Sequence, residues 1–352
     1  MLAARWWGRG DVRVEHVDDP GDPPPGSLRI RVEACGLCGT DVEEYVSGPN
    51  VIPVEPHPLS GRQAPLTLGH ESAGVVEAVG RGVDLDVGVR VAVEGNLFCG
   101  SCFWCRRHEH QLCPQLAQLG LMADGGLAEV LIAPVQMCVP FGNDVAFEHA
   151  AMAEPLSVAV RAVRRAGVGI GSTVAITGCG ALGLMLVQVA RLAGARTVLA
   201  VERADSRRDL ARRFGADLAV APDDAVAAGL DLTGGIGFDA AIEAAGNPAA
   251  AMLSIALARR GGTAILLGVF DDVVPVGMMD LLMSEKTIAS SLSHVYDTDF
   301  LAAVSLIDRG AVDLGPLIST PIALADVVEK GFKTLAAQPA DHLKVMVHPN
   351  SS

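Results

Sequence analysis

Thr173-Val-Ala-Ile-Thr177 runs into Gly178-Cys179-Gly180-Ala181-Leu182-Gly183, then an apolar run from Leu184 to Ala193, then Thr197-Val-Leu-Ala-Val-Glu202. A β-branched run enters a glycine turn. An apolar run of helical length follows, and a second short apolar run ends in an acid. This order is strand, turn, helix, strand, the βαβ unit that binds dinucleotides. Gly178 permits the tight turn, Gly180 lets the backbone approach a pyrophosphate, and Gly183 lets the helix pack on the strand. Ala181 and Leu182 open the helix, whose first N–H groups and partial positive charge face the phosphates. Glu202 lies 19 residues past Gly183. A carboxylate there accepts from both ribose hydroxyls and repels a 2′-phosphate, so the pattern reads NAD over NADP. Arg203 weakens that preference, and Arg207 lies close by on the following helix.

The chain around this unit is 352 residues long, enough for two domains. It is 50% apolar and 19% charged, so large cores can be buried. A net charge of −14 without a Lys/Arg run argues against nucleic-acid binding. The start, Met1-Leu-Ala-Ala-Arg5-Trp6-Trp7, has no apolar run of the kind a secretory signal needs. The uncharged segment 166–190 is long enough for a membrane span, but it is the βαβ start itself and reads as a buried strand plus helix. Eight cysteines without a secretory signal argue against a disulfide framework and for a reducing, cytoplasmic location.

Before the βαβ unit the pattern is strand-rich. A hairpin start leads to the strand Leu28–Glu33. Residues 46–66 read as a long surface loop, and glycine-punctuated strands run through Val93 and again from Gly120 to Val139. A helix opens at Glu154-Pro155. After Glu202 strands alternate with helices, giving a doubly wound parallel sheet. There Asn247–Arg259 reads as a helix, Gly261-Gly262 as a turn and Thr263–Leu267 as a strand. The last 60 or so residues read as two helices, Asp299–Arg309 and Leu324–Ala337, and the strand Leu343–Val347.

The most specific metal signal is Cys99-Gly-Ser-Cys102-Phe-Trp-Cys105 followed by Cys113. Four thiolates so spaced can close a tetrahedral shell around a structural zinc; the rival is a ferredoxin-like cluster. His108 and His110 in this lobe read as solvated. Cys35 and Cys38 form a C-x-x-C, which alone is a redox pair or two buried thiols. Cys38, His70 and Glu154 are the ligand types of a catalytic zinc, but spacing does not bring them together, and a structural histidine and a helix-start glutamate remain open.

These landmarks together resemble a known family. Gly36-Leu-Cys38-Gly-Thr40-Asp41, Leu68-Gly-His70-Glu71, the four-cysteine lobe, Glu154-Pro-Leu156 and Gly178–Gly183 resemble the zinc-dependent medium-chain dehydrogenases over essentially the whole chain. Glu154-Pro-Leu156, Pro53–Gly61 and Val328–Phe332 resemble its sorbitol and butanediol dehydrogenase branch. The resemblance implies a GroES-like β-rich catalytic domain over residues 1–156, a Rossmann domain over 157–293, and a return to the catalytic domain over 294–352. It implies a catalytic zinc on Cys38, His70 and Glu154, with Glu71 beside the metal as a supporting or exchanging ligand. It implies that Cys99, Cys102, Cys105 and Cys113 hold the structural zinc, and that Thr40 bonds the substrate hydroxyl and starts a proton relay. Family members commonly carry a His three residues after this Thr, and this chain has Glu43: either Glu43 carries the proton, or water replaces it, or Glu43 is a solvated carboxylate. The implied protein is an NAD-dependent oxidoreductase of a small alcohol, vicinal diol or hydroxyketone, a homodimer or homotetramer, with no nucleic-acid or membrane partner. Polyol and threonine-type dehydrogenases are the enzyme alternatives, and an NAD(H)-sensing binding protein is the alternative outside catalysis.

Overall fold

The computed structural model describes residues 1–270, 272–319, 321–337 and 342–351. The chain divides into two units, residues 156–294 and residues 1–155 with 295–352.

The first of these is built on a six-stranded parallel sheet. Its strands are β1 (Thr173–Thr177), β2 (Thr197–Val201), β3 (Leu218–Val220), β4 (Phe238–Glu243), β5 (Ala258–Leu266) and β6 (Thr287–Ser290). All five residues of β1 are buried, as a strand covered on both faces requires. The sheet order is β3-β2-β1-β4-β5-β6. The winding therefore reverses between β1 and β4, and the crevice beyond their carboxyl ends is the switch point of a doubly wound sheet. The helix Ala181–Leu192 connects β1 to β2 and buries Leu184 to Ala190. Two glycines make this join possible. Gly178 has φ +90°, and a Cβ there would lie 2.8 Å from Ala245 Cβ. A Cβ on Gly183 would lie 1.9 Å from the Gly178 carbonyl oxygen. The uncharged segment 166–190 is thus strand and helix, and no helix among the described residues is long and apolar enough to cross a membrane.

One boundary differs from expectation. The helix Pro248–Leu257, capped by Asn247 accepting from the Ala250 N–H at 3.0 Å, stops two residues early, and β5 already starts at Ala258. Gly261 and Gly262 lie inside that strand, where its register against β4 shifts. Glycine here accommodates an irregularity of the ladder rather than a turn between elements.

The second unit is mainly antiparallel. Its central strand, Ser27–Gly36, alternates half-buried and buried residues along most of its length, the period-two pattern of a half-covered sheet. It pairs antiparallel with Glu71–Val79, Val130–Pro134 and Met346–His348. The last of these brings the C-terminal segment back beside Cys35 and Gly36. Trp6, Leu28, Ile30, Leu66, Leu68, Leu127 and Phe332 form the fully buried centre. The terminal helices are less regular than expected. Tyr296–Phe300 is a π-helical turn before the α-helix Leu301–Asp308. Leu324–Ala337 resolves into a 3-10 turn, a π-helical stretch Val327–Phe332 and a short α-helix. The wider turn places Val327 and Phe332, five apart, on one buried face. The closing strand is Met346–His348, shifted from Leu343–Val347.

Candidate active site

The four-cysteine lobe is assembled as the spacing requires. The sulfurs of Cys99, Cys102, Cys105 and Cys113 all lie within 4.8 Å of one another. Cys99 Sγ and Cys105 Sγ are 3.9 Å apart. Tetrahedral zinc with Zn–S bonds of about 2.3 Å needs sulfur separations of about 3.8 Å, so the donor set fits the metal. Two backbone N–H groups point at sulfur, Cys105 to Cys102 Sγ at 3.4 Å and Cys99 to Cys113 Sγ at 3.5 Å. Backbone N–H groups of Ser101 and Cys102 bring the Cys99 thiol down to about 6, whereas burial pushes Cys105 up to about 12. One member is thus already a thiolate at neutral pH. Neither histidine of the lobe joins the group. His108 is exposed, but His110 is half-buried and stacks on Phe98 at 3.8 Å rather than lying in solvent.

The second group gathers Cys38, His70 and Glu71, whose donor atoms also lie within 4.8 Å of one another. Cys38 caps the helix Gly39–Ser47, and its N–H donates to Asp41 Oδ2 at 2.9 Å. That cap fixes the first turn and sets Thr40 Oγ1 at 3.9 Å from the Cys38 sulfur. Glu43 lies on the exposed face of the same helix, and Glu44 on its buried face. The Glu44 carboxylate accepts from the N–H groups of Asn50, Val51 and Ile52, which orders the start of the loop expected over 46–66.

His70 and Glu71 lie where the chain enters the strand Glu71–Val79. His70 Nδ1 and Asp41 Oδ1 are both buried without a hydrogen-bond partner among the described residues, 3.5 Å apart. Burial draws the His70 pKa down, but the Asp41 and Cys38 charges outweigh it and hold the ring well above the ordinary value. An imidazole under-satisfied beside a thiol and carboxylates is a donor set suited to a metal, which competes with the proton. Glu154 is buried in the first turn of the helix Ala153–Arg165, with Gln118 Nε2 at 3.5 Å from its carboxylate. It lies outside the mutually close set, but its charge acts on both Glu71 and Lys344.

Sequence reasoning missed Lys344. Its Nζ donates to both Glu71 oxygens, at 2.6 and 2.8 Å, and to the Leu37 carbonyl at 3.1 Å. Burial pulls the Lys344 pKa down, and the Glu71 carboxylate overrides it, so the ammonium is held above its ordinary value. The available signal was a lone lysine in the apolar run Leu343-Lys344-Val345-Met346-Val347. Asp41 was quoted in the motif but given no role. Cys35, the other half of the C-x-x-C, is fully buried, accepts from the Ser72 hydroxyl at 3.5 Å and is pushed up to about 12 by burial. It is an inert core thiol and not half of a redox pair.

At the glycine turn, Gly180 precedes the helix Ala181–Leu192 without a side-chain cap, which leaves its first N–H groups for a ligand. No atom lies within 4 Å of a Cβ placed on Gly180, so the approach is open. Glu202 accepts from three backbone N–H groups, Cys179 and Arg203 at 2.8 Å and Ala204 at 3.0 Å. Its carboxylate is thereby fixed beside the turn, with less capacity for ribose hydroxyls than an unengaged acid has. Arg207 is half-buried and close enough to Cys179 to act on its thiol. Arg208, which sequence reasoning passed over, donates to the Glu202 and Arg203 carbonyls at 2.7 and 2.6 Å.

A doubly wound sheet with a glycine turn and acid-ended second strand, joined in one chain to a β-rich unit with two metal-ligand groups, defines a zinc-dependent dehydrogenase. Comparison with known proteins agrees. Residues 24–143 match the alcohol dehydrogenase GroES-like domain, and residues 181–309 match the zinc-binding dehydrogenase family. The chain is 34% identical to (R,R)-butanediol dehydrogenase of Bacillus subtilis (strain 168), over 99% of this chain and 100% of that protein. It is 33% identical to L-threonine 3-dehydrogenase of Pyrococcus horikoshii, over 94% of this chain and 93% of that protein. A crystal structure of a protein from Sinorhizobium meliloti 1021, bound to NADP, matches with a TM-score of 0.89 at 34% identity over 99% of each chain. The chain belongs to the zinc-dependent medium-chain dehydrogenase family. It is an oxidoreductase that uses zinc and a nicotinamide dinucleotide.

Proposed function

We propose that the protein interconverts a small secondary alcohol or vicinal diol, of the 2,3-butanediol kind, and its ketone or hydroxyketone with NAD. The observation that carries this is the Cys38, His70 and Glu71 group with the Thr40 hydroxyl 3.9 Å from the Cys38 sulfur. Cys38 and His70 would hold a zinc through thiolate and imidazole. We assign the carboxylate ligand to Glu154, because Lys344 holds Glu71 through both oxygens. Zinc bound there supplies Lewis acidity, which lowers the pKa of an alcohol and polarises a ketone, and NAD supplies the hydride acceptor. The chain's own residues orient the substrate and move its proton. Thr40 accepts the hydroxyl proton as it gives up its own, and Glu43, three residues on along the same helix, passes the released proton to solvent. Glu71, paired with Lys344, holds the charge balance behind the ligands. Gly178 to Gly183, with Ala181 and Leu182 at the helix start, seat the pyrophosphate. Glu202 sets the preference for NAD, against which Arg203 and Arg207 work.

The test is NADH formation at 340 nm with a panel of diols, polyols and threonine, before and after a chelator. Vicinal diols turned over best, and loss of activity on chelation, are the expected outcome. Threonine or sorbitol preferred over diols would reassign the substrate. Dinucleotide binding without turnover of any alcohol would favour a sensor.

Assembly belongs to the same reading. Among the described residues the edge strand β6 pairs only with β5. The adjoining helix Met278–Ser284 exposes Met278, Met279, Leu282 and Met283, each 62–70% accessible. An open strand edge beside exposed apolar side chains is what a second copy covers. A homodimer or homotetramer is expected by light scattering, and monomer alone at micromolar concentration would contradict it.

A further inference from the structure

Glu243 is the last residue of β4 and has no solvent exposure. In the sheet it pairs with Thr177 of β1 on one side and Leu266 of β5 on the other. It therefore stands at the carboxyl edge of the sheet, at the point where the winding reverses. Its carboxylate reaches two separate loops. One oxygen accepts from Ala245 and Gly246 N–H, both at 2.7 Å, in the loop after β4. The other accepts from Gly268 N–H at 3.2 Å, in the loop after β5. Burial pushes this carboxyl up, and the backbone N–H groups work against that. A buried acid is an expensive way to fill space, so its role is the set of N–H groups it gathers.

The loops it ties are in backbone contact with each other and with the glycine turn. A Cβ on Gly268 would lie 2.4 Å from Gly246 Cα. A Cβ on Gly178 would lie 2.9 Å from Ala245 N. The three strand-end loops after β1, β4 and β5 thus form one shelf, and the Glu243 carboxylate accepts from backbone N–H groups of both the second and the third. The acid Glu202 directly follows β2, which puts an adenosine ribose on that side of the glycine turn. A dinucleotide seated there runs its other half across the switch point, over the ends of β4 and β5.

We propose that Glu243 is a positioning residue for the nicotinamide half of the dinucleotide, tying the loops after β4 and β5 into one rigid shelf beneath it. The inference rests on the dinucleotide site described above. It assigns to Glu243 no proton transfer and no contact with substrate.

The test compares NADH with ADP-ribose, which has the adenosine, pyrophosphate and second ribose but no nicotinamide. Both are titrated calorimetrically into the zinc-loaded full chain and into Glu243→Gln. The one carbonyl oxygen of glutamine keeps the two 2.7 Å bonds and releases Gly268. Loss of one charge-assisted contact predicts NADH binding weaker by about tenfold, with ADP-ribose affinity held within about twofold. Unchanged NADH affinity overturns the proposal, and so does an equal loss for both ligands, which marks a general structural role. If Glu243→Gln does not fold, Glu243→Asp, charged but too short to span both loops, is measured the same way against the same criteria. A parent protein that binds neither ligand fails the dinucleotide reading itself, which is seen before any variant is compared.

Discussion

Lys344 Nζ lies 2.6 and 2.8 Å from the two carboxylate oxygens of Glu71, although the two residues are 273 positions apart in the chain. Both side chains are buried, at 6% and 0% accessibility. The pair sits directly against the proposed metal ligands, so it joins the C-terminal strand segment to the site.

Breaking this pair from one side leaves a buried charge without its partner. Lys344→Met should therefore lower unfolding stability by about 3–5 kcal/mol. Removing the orphaned charge as well, in Glu71→Gln/Lys344→Met, should recover most of the loss. Urea denaturation of the three proteins measures both effects. Equal stability of the double and single variants would show that the orphaned carboxylate is not the cause.

Metal content separates the two cysteine groups. The parent protein should carry about two zinc ions per chain. Cys38→Ser should lose one of them and the activity while keeping its melting temperature close to the parent's. Cys102→Ser should lose the other and fold or assemble poorly. Elemental analysis with thermal melts decides this, and iron with visible absorbance in the parent would point to a cluster instead.

Thiol reactivity tests the lobe more finely. In chelated protein at neutral pH, Cys99, held down to about 6, should be alkylated by iodoacetamide ahead of Cys105, pushed up to about 12. The sign follows from the lowered value: Cys99 is thiolate above about 6, and its labelling should fade as pH falls through that point. Restored zinc should protect all four cysteines. Peptide mapping by mass spectrometry reads the order, and Cys105 reacting first would reverse it.

Cofactor choice is tested at Glu202. Glu202→Ala should lower kcat/KM with NAD and raise it with NADP, shifting the ratio by about tenfold or more. Arg203 and Arg207 are then the cations expected to favour a 2′-phosphate. Because three backbone N–H groups already occupy the carboxylate, the parent's own preference is the first measurement. A parent that prefers NADP would show that the acid's role is to fix the turn.

Proton release is tested at Glu43. Glu43→Gln should slow alcohol oxidation if this exposed carboxylate hands the proton to solvent. Glu43→His should restore the rate with a pH limb nearer the imidazole's reference value of about 6.5. Profiles of kcat/KM from about pH 5 to about pH 10 compare the three. Superimposable curves would leave proton transfer to Thr40 and water.

What the sequence determined by itself is local. The βαβ unit, its glycines and the lobe of four cysteines are each legible, because the interacting groups lie within a few residues or at a fixed helical or strand period. What only the tertiary structure decided is how distant groups saturate one another. Cys38, His70 and Glu71 meet because two antiparallel strands align Gly36 with Glu71. Glu71 finds Lys344 because the strand Met346–His348 returns beside Gly36. Glu243 and Glu202 are held by backbone N–H groups that strand-end loops present only once the sheet is wound. The physical reason is the same in each case. A buried charge must be matched by donors or by an opposite charge, and which donors are near depends on packing, not on spacing along the chain.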